Sequence, residues 1–482
     1  MVTTPTDTTP ILRRPPIWLA IIACSLPMFM TALDNLVVST ALRTLQTKLH
    51  ASTEDLQWFV NAYTLGFACF LLAGAALGDR FGRRRLFNLG TIVFTLASIG
   101  CGLSTSSAAL IAFRAAQGLG AAAVMPLSLT LLSAAVPARK RSMAVGIWSA
   151  ISGLAIALGP VVGGAVVDGL GWHWIFWLNV PVGIVAVPLA SAVLQESRGT
   201  RAKLDVIGMA LAAVGLLSVV WAIVNGQSKG WTSTRIDTAF AVGGVLLIAF
   251  VMWERRVQHP LLPLGFYRIR SFTLTNLVSM TMYFGVFGSI FLLAQYLQIA
   301  PPRSALHAGV LTLSWTLVPM FIAPLAGVLI DRVGGGRLMA LGLGLQAVGL
   351  AWISLVAGAD TPYSHLVAPM IIAGAGMGFA FPPAASVVLG AVGMQDQGKA
   401  AGANTTVREL GGAVGVAVLG TVFAARGSYA SPQQFVDGLR PAVWVGVGVV
   451  AVGALIALAI PRGQDSAEPA TVEARAELTV PA

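Results

Sequence analysis

Long apolar stretches, broken at short intervals by arginine clusters and turn formers, run from Ile17 to Ile460. A bilayer core about 30 Å thick takes roughly 20 helical residues to cross. Fourteen runs reach or approach that length: 17–38, 57–77, 86–103, 107–135, 143–167, 173–194, 205–224, 238–253, 272–298, 306–330, 337–358, 363–390, 401–424 and 441–460. Each is expected to be a membrane-spanning helix, the eighth being the shortest.

Composition leaves few other classes open. Only 10% of the 482 residues are charged and 56% belong to the AVILMFWYC set, whereas an ordinary soluble protein carries about 25% charged residues. A soluble globule could not hide that much apolar surface; collagenous, disordered and disulfide-scaffold chains are excluded too. An all-α polytopic membrane protein remains, and such helices tolerate the 53 glycines and 25 prolines. Cys24, Cys69 and Cys101 all lie in apolar runs, so neither a disulfide framework nor a metal site is expected. The N-terminus lacks a signal-cleavage pattern, and the run after Arg13 and Arg14 is expected to stay as an anchor.

The net charge of +11 reads as topology rather than as nucleic-acid binding. With the N-terminus inside, cytoplasmic segments carry 21 of the 30 Lys and Arg, external loops seven, and two, Arg114 and Arg408, fall within spans. That excess supports an even number of spans in a bacterial cytoplasmic membrane, with both termini cytoplasmic. The tail from 461 to 482 is expected to be disordered.

The chain also repeats itself. ALGDRFGRRRL at 76–86 returns as VLIDRVGGGRL at 328–338, so that Asp79, Arg80, Gly82 and Leu86 match Asp331, Arg332, Gly334 and Leu338 at an offset of 252. Gly118, Gly120 and Pro126 match Gly374, Gly376 and Pro382 at 256. Two echoes in one order imply a duplicated bundle. Both copies of the Asp-Arg loop fall on one side, so the halves run parallel, an arrangement of transporters with a central site between halves. The expected organisation is a tail (1–16), a six-helix bundle (17–194), a linker carrying two additional helices (195–271), a second six-helix bundle (272–460) and a tail (461–482).

In these features the sequence resembles the major facilitator superfamily, and within it the fourteen-helix drug:proton antiporters. The resemblance rests on ALDNLVVSTAL at 32–42, LQWFVNAYTL at 56–65, GAALGDRFGRRRL at 74–86, LIAFRAAQGLGAA at 110–122, ALGPVVGG at 157–164, GWHWIFWLNVPVG at 171–183 and RELGGAVGVAVLG at 408–420. The chain departs from the pattern at Ser39 (usually Asn), Arg43 (usually Pro), His173 (usually Arg) and Glu409 (usually Gln). The resemblance implies a proton-coupled antiporter exporting lipophilic or cationic drugs by alternating access, driven by the proton gradient without a cofactor and functional as a monomer. Exporting lipids or an endogenous metabolite on the same fold is an alternative, as is a membrane sensor without turnover. Enzymatic chemistry finds no His/Cys cluster, nucleophile triad or Walker sequence.

Ionisable groups inside a membrane are expensive and need a reason. Asp34 in the first span and Arg114 in the fourth fall at similar depth and can pair. The resemblance associates them with proton coupling; the structural alternative is a static ion pair that fixes packing. Arg408 and its neighbour Glu409, about 100° apart on one helix, pair structurally or serve the cargo, with Glu409 attracting a cation or taking a second proton. Asp79, among Arg80 and Arg83, can cap a facing helix end and pair with arginine. The resemblance makes Gly78, Asp79, Gly82 and Arg83 a latch between the halves, with Asp331 and Arg332 as the second copy. Gly159, Pro160, Gly163 and Gly164 give a kinked, smooth face for a tight seam. Trp172, Trp174, Phe176 and Trp177 read as an interfacial belt. Asn35, Asn61, Tyr63, Gln117, Tyr283, Gln295 and Phe381, with Arg408 and Glu409, are candidates to line a mostly apolar central cavity; helix–helix bonding or packing is the alternative for each.

Overall fold

The computed structural model describes residues 16–198, 205–257, 260, 264–393 and 396–461. Most of the two expected tails, 1–15 and 462–482, lies outside the described residues. The described residues form fourteen helices long and apolar enough to cross a membrane. They are α1 (Ile17–Leu49), α2 (Thr53–Phe81), α3 (Arg83–Gly102), α4 (Ser107–Ala135), α5 (Arg139–Gly169), α6 (Trp174–Val193) and α7 (Val206–Lys229). They continue as α8 (Thr234–Glu254), α9 (Arg270–Ile299), α10 (Ala305–Val333), α11 (Gly335–Val356), α12 (Ser364–Gly390), α13 (Gln397–Arg426) and α14 (Pro432–Leu458). Each corresponds to one apolar run. Several helices outlast their runs because polar caps at their ends satisfy the first free N–H groups. Thus α2 starts four residues before its run in a Ser52/Asp55 capping box, and α14 starts at a Ser431 cap nine residues early.

Successive spans alternate in direction, so an even number returns both described ends to one side, called here the termini face. Each half builds its core the same way: first helix against fifth, third against fourth and sixth, second against fourth. The glycines explain the closeness of these seams, since a helix without Cβ atoms lets a neighbouring backbone approach. A methyl group on Gly120 would lie 2.7 Å from the carbonyl of Gly90, and one on Gly342 2.6 Å from that of Gly376. Gly118 abuts the Tyr63 carbonyl as Gly374 abuts that of Trp315. All four correspondences fall at the offsets of 252 and 256 read from the sequence. The two Asp-Arg loops match as well: Gly82 and Gly334 have φ of 115° and 91°, values that suit glycine, and their N–H groups bond the carbonyls of Gly78 and Ile330, both at 2.9 Å.

Between the halves, α5 lies along α10, α2 along α13 and, more lightly, α1 along α9. The inserted helices α7 and α8 pack on each other, and α7 rests in the groove between α2 and α13. Its Val220 and Val224 join Leu65, Ala413 and Ala417 there. Outward faces are apolar, with Phe321 70% and Leu455 68% exposed, as suits helices surrounded by lipid.

Candidate functional site

Five of the six helices of the first half converge on Asp34. Its Oδ2 accepts from Arg114 Nη1 in a salt bridge inside the bundle. Its Oδ1 accepts from Asn179 Nδ2 on α6 at 2.8 Å and Gln117 Nε2 on α4 at 3.3 Å. Gln117 Nε2 also donates to Ser98 Oγ on α3 at 2.7 Å, and its Oε1 accepts from Arg114 Nη1 at 2.9 Å. Arg114 Nε donates to the Phe59 carbonyl on α2 at 2.9 Å, and its guanidinium lies 4.5 Å from the Tyr63 ring centroid. Tyr63 is itself tethered by its hydroxyl to the Thr31 carbonyl at 2.9 Å. Arg114 has no exposed surface and Asp34 only 2%. Burying two charges costs several kcal/mol per ion unless geometry and added hydrogen bonds compensate, and here nearly every lone pair and proton is used. The exception is Arg114 Nη2, which has no hydrogen-bond partner.

The second charged centre, on α13, is built differently. Arg408 lies 4.8 Å from the ring centroids of both Tyr283 on α9 and Phe381 on α12, an aromatic clamp favourable to a cation. Its Nε has no hydrogen-bond partner. Glu409 makes no hydrogen bond or ion pair among the described residues, although the residue is only 7% exposed. Asn35 Oδ1, Gln57 Oε1 and both amide atoms of Asn61 are likewise buried without partners. A group of unsatisfied polar atoms of this kind is where water or cargo is expected to bind.

Several sequence expectations are corrected by position. Gln117 and Gln295 do not line a central cavity. Gln117 is spent inside the Asp34 network, and Gln295, fully buried, bonds the Phe291 carbonyl and the Tyr429 hydroxyl. Trp172 and Phe176 are not belt residues, being 4% and 0% exposed within the core. Only Trp174, at 48%, is well exposed.

The loop residues are placed within their own half. Asp79 pairs with Arg83 at 2.7 Å rather than reaching across. Arg80 stands over the Phe81 ring. The start of α3 is capped by Glu196, whose oxygens accept from the Arg84 and Arg85 N–H groups at 3.0 and 3.2 Å. In the second copy Asp331 and Arg332 are exposed and border a cleft of about 800 Å³ with Ser271, Ser386 and Pro461.

The halves are bonded at the face opposite the termini. There the Asp168 carboxylate at the end of α5 accepts from Ala305 and Leu306 N–H at 3.1 and 2.7 Å, capping α10. Gln298 donates to the Thr40 carbonyl at 3.0 Å. Along the same seam Gly159 and Gly163 seat on Leu36 and Val37 of α1, Pro160 and Gly164 meet Gly309 and Ala305 of α10, and deeper still Thr316 donates to the Ala157 carbonyl at 3.3 Å. One smooth face of α5 thus packs on its own half and on the other half at once. Among the described residues no such cross-half hydrogen bond occurs near the termini face.

Sequence reasoning missed Asn179, Ser98, Asp168 and Glu196. Asn179 left the clearest signal, a lone amide inside the apolar WLNVP segment. Asp168 and Glu196 were legible only as acids at span ends, and Ser98 left none.

Comparison with known proteins follows the same lines. The model of the Major Facilitator Superfamily matches residues 24–416 and 272–480. The chain is 36% identical over 409 residues to the multidrug resistance protein Stp of Mycobacterium tuberculosis, covering 84% of this chain and 76% of that one. It is 32% identical over 428 residues to the tetracenomycin C resistance and export protein of Streptomyces glaucescens, covering 88% and 79%. A crystal structure of a D-xylose–proton symporter superposes with a TM-score of 0.67 at 15% identity, covering 92% of this chain and 98% of that one.

Proposed function

From the premise that this chain belongs to the Major Facilitator Superfamily, a family of transporters rather than enzymes, we propose that it exports lipophilic or cationic drugs in exchange for protons. The relatives named for multidrug resistance and for tetracenomycin C resistance and export support drug efflux. Proton coupling is carried by one observation: Asp34 and Arg114 form an ion pair with almost no exposed surface. A carboxylate so placed relies on its guanidinium partner and amide donors to offset the cost of burying its charge. Protonating it removes the attraction to Arg114 Nη1, and Arg114 keeps Phe59, Gln117 and the Tyr63 ring. The pair therefore has two arrangements that differ by one proton, which is what coupling to a conformational change requires.

The termini face is assigned to the cytoplasm of a bacterial cell, because it carries the Arg83–Arg85 cluster. The state described is then sealed outside by Asp168, Gln298 and the α5 glycines, with no cross-half hydrogen bond inside among the described residues. In the converse state Asp79 and Arg83, with Asp331 and Arg332, serve as the inner latch. One chain holds both halves and every group named, so the monomer suffices; cargo enters between the halves and lipid surrounds them.

The test is Asp34→Asn in proteoliposomes carrying an imposed pH gradient, with ethidium as cargo. Gradient-driven accumulation is expected to vanish while ethidium binding to the purified protein persists. Uphill transport at the wild-type level would refute the assignment.

A further inference from the structure

The geometry points to Glu409 as a second proton carrier, buried in the opposite half from Asp34; this rests on the transport reading above. Glu409 is the thirteenth residue of α13, about 18 Å along the axis from the first, and so deep in the membrane. A carboxylate at that depth is normally paired. This one has neither hydrogen bond nor ion pair among the described residues. Arg408 is its immediate neighbour, yet the guanidinium is held in the clamp of Tyr283 and Phe381 instead of on the carboxylate.

Among the described residues the surroundings offer Glu409 no other counter-charge. Of the helices packed on α13, α2 presents Tyr63 and α9 presents Tyr283. The remaining acidic and basic side chains sit toward the ends: Glu54, Asp55, Asp79 and Arg80 on α2, Lys229 on α7, Arg270 on α9, His365 on α12, and Asp437 and Arg440 on α14. An acid in such a place is stable when protonated or when a mobile cation stands beside it. Both conditions alternate in an exchange cycle. The neutral acid releases its proton to the open face, the carboxylate that remains receives a positively charged cargo, and reprotonation from the other face expels the cargo. No covalent bond is made and the charge balances, one proton for one cation at this site. Arg408, fixed away in its clamp, stays charged throughout. The centre therefore alternates between neutral and singly positive without cargo, as the Asp34–Arg114 pair does on protonation.

Glu409→Gln keeps the shape and removes the titration, and Glu409→Asp keeps the titration as a control for folding. The direct readout is the infrared carbonyl band of protonated carboxylic acids, followed through a pH titration of the purified protein without cargo. Wild type and Glu409→Asp are expected to show a titrating band that Glu409→Gln lacks, while Asp34→Asn retains it. Superimposable titrations of wild type and Glu409→Gln would overturn the proposal. In vesicles clamped at zero membrane potential, one pH unit sustains about a tenfold gradient per proton exchanged. The ethidium plateau is expected to fall from about 100-fold to about 10-fold in Glu409→Gln, whereas Asp34→Asn abolishes it because the conformational change that the Asp34–Arg114 pair drives is lost as well; equal plateaus in wild type and Glu409→Gln would overturn the two-carrier assignment. If wild type moved no ethidium against a pH gradient, the export reading would fail by itself, and the infrared titration would still decide Glu409.

Discussion

The two halves share a scaffold and differ in where they keep charge. At the offset of 252 Tyr63 becomes Trp315, and at 256 Arg114 becomes Met370. The backbones at these positions meet the same partners, Tyr63 with Gly118 and Trp315 with Gly374. Yet the first pocket holds an ion pair bonded from five helices, whereas Trp315 and Met370 border a small void that Ser39 and Pro160 of the first half also line. The second half carries its guanidinium and carboxylate on its fifth helix instead, as Arg408 and Glu409. One centre is nearly saturated with hydrogen bonds; in the other, Arg408 Nε and the Glu409 carboxylate have no hydrogen-bond partner among the described residues. Duplication supplied the seams, and the chemistry was placed on them unequally: a saturated pair holds a discrete arrangement, whereas an unsatisfied one is available to ligands.

Swapping the residues at the matched position gives the largest effect. Arg114→Met gives the first half the residue of the second, and leaves Asp34 without its cation. Breaking a buried pair by removing one partner costs about 3–5 kcal/mol. Met370→Leu in the second half is a volume-conserving change expected to cost under about 1.5 kcal/mol. Denaturation in detergent should separate the two variants clearly. Similar losses for both would mean that the ion pair is no more than packing, and the contrast between the halves would collapse.

How much of this was written in the sequence depends on the range of the interaction. The fourteen spans were legible because hydropathy acts residue by residue, and the repeat because GDRFG and DRVGG keep their spacing. Asp34 and Arg114 stood out because charge inside an apolar run is rare. The bonds between halves were not legible. Asp168 is one acid at the end of a span, and nothing local says that it caps α10, 137 residues further on. Nor does the order Arg408–Glu409 reveal that the guanidinium turns to two aromatic rings and leaves the carboxylate alone. That depends on Tyr283 and Phe381, brought in from helices distant in sequence. Gln117 shows the converse: its polarity suggested a cavity wall, but an amide that can both donate and accept was taken up by the ion pair.

The scaffold itself can be tested with the paired glycines. Gly118→Ala would press a methyl group on the Tyr63 carbonyl, and Gly374→Ala on that of Trp315. Overpacking of this kind costs about 1–3 kcal/mol, and equivalent seams predict losses alike to within about 0.5 kcal/mol. Thermal melting of the purified variants measures both. The activities should then diverge, because displacing Tyr63 also moves the ring that carries Arg114, whereas displacing Trp315 moves no charge. Unequal stability losses would show that the repeat is only approximate at its closest contact.

The smallest effect belongs to the clamp. Tyr283→Leu removes one of the two rings flanking Arg408 and keeps an apolar side chain in place. A cation over an aromatic face contributes about 0.5–1 kcal/mol at exposed sites and about 2 when desolvated, so a loss near 1 kcal/mol is expected for this partly exposed arginine. The more telling result is geometric. With one plate gone the guanidinium is free to turn about its side-chain torsions toward Glu409, the nearest carboxylate in the chain. A salt bridge there would make the second centre resemble the first, paired and less open to cargo. The apparent affinity for ethidium should then fall in Tyr283→Leu, and Glu409→Gln in the same background should cause little further loss. If Tyr283→Leu instead left ethidium affinity unchanged, the clamp would not be what keeps Glu409 available, and the unsatisfied character of the second centre would have to be traced to the α13 backbone alone.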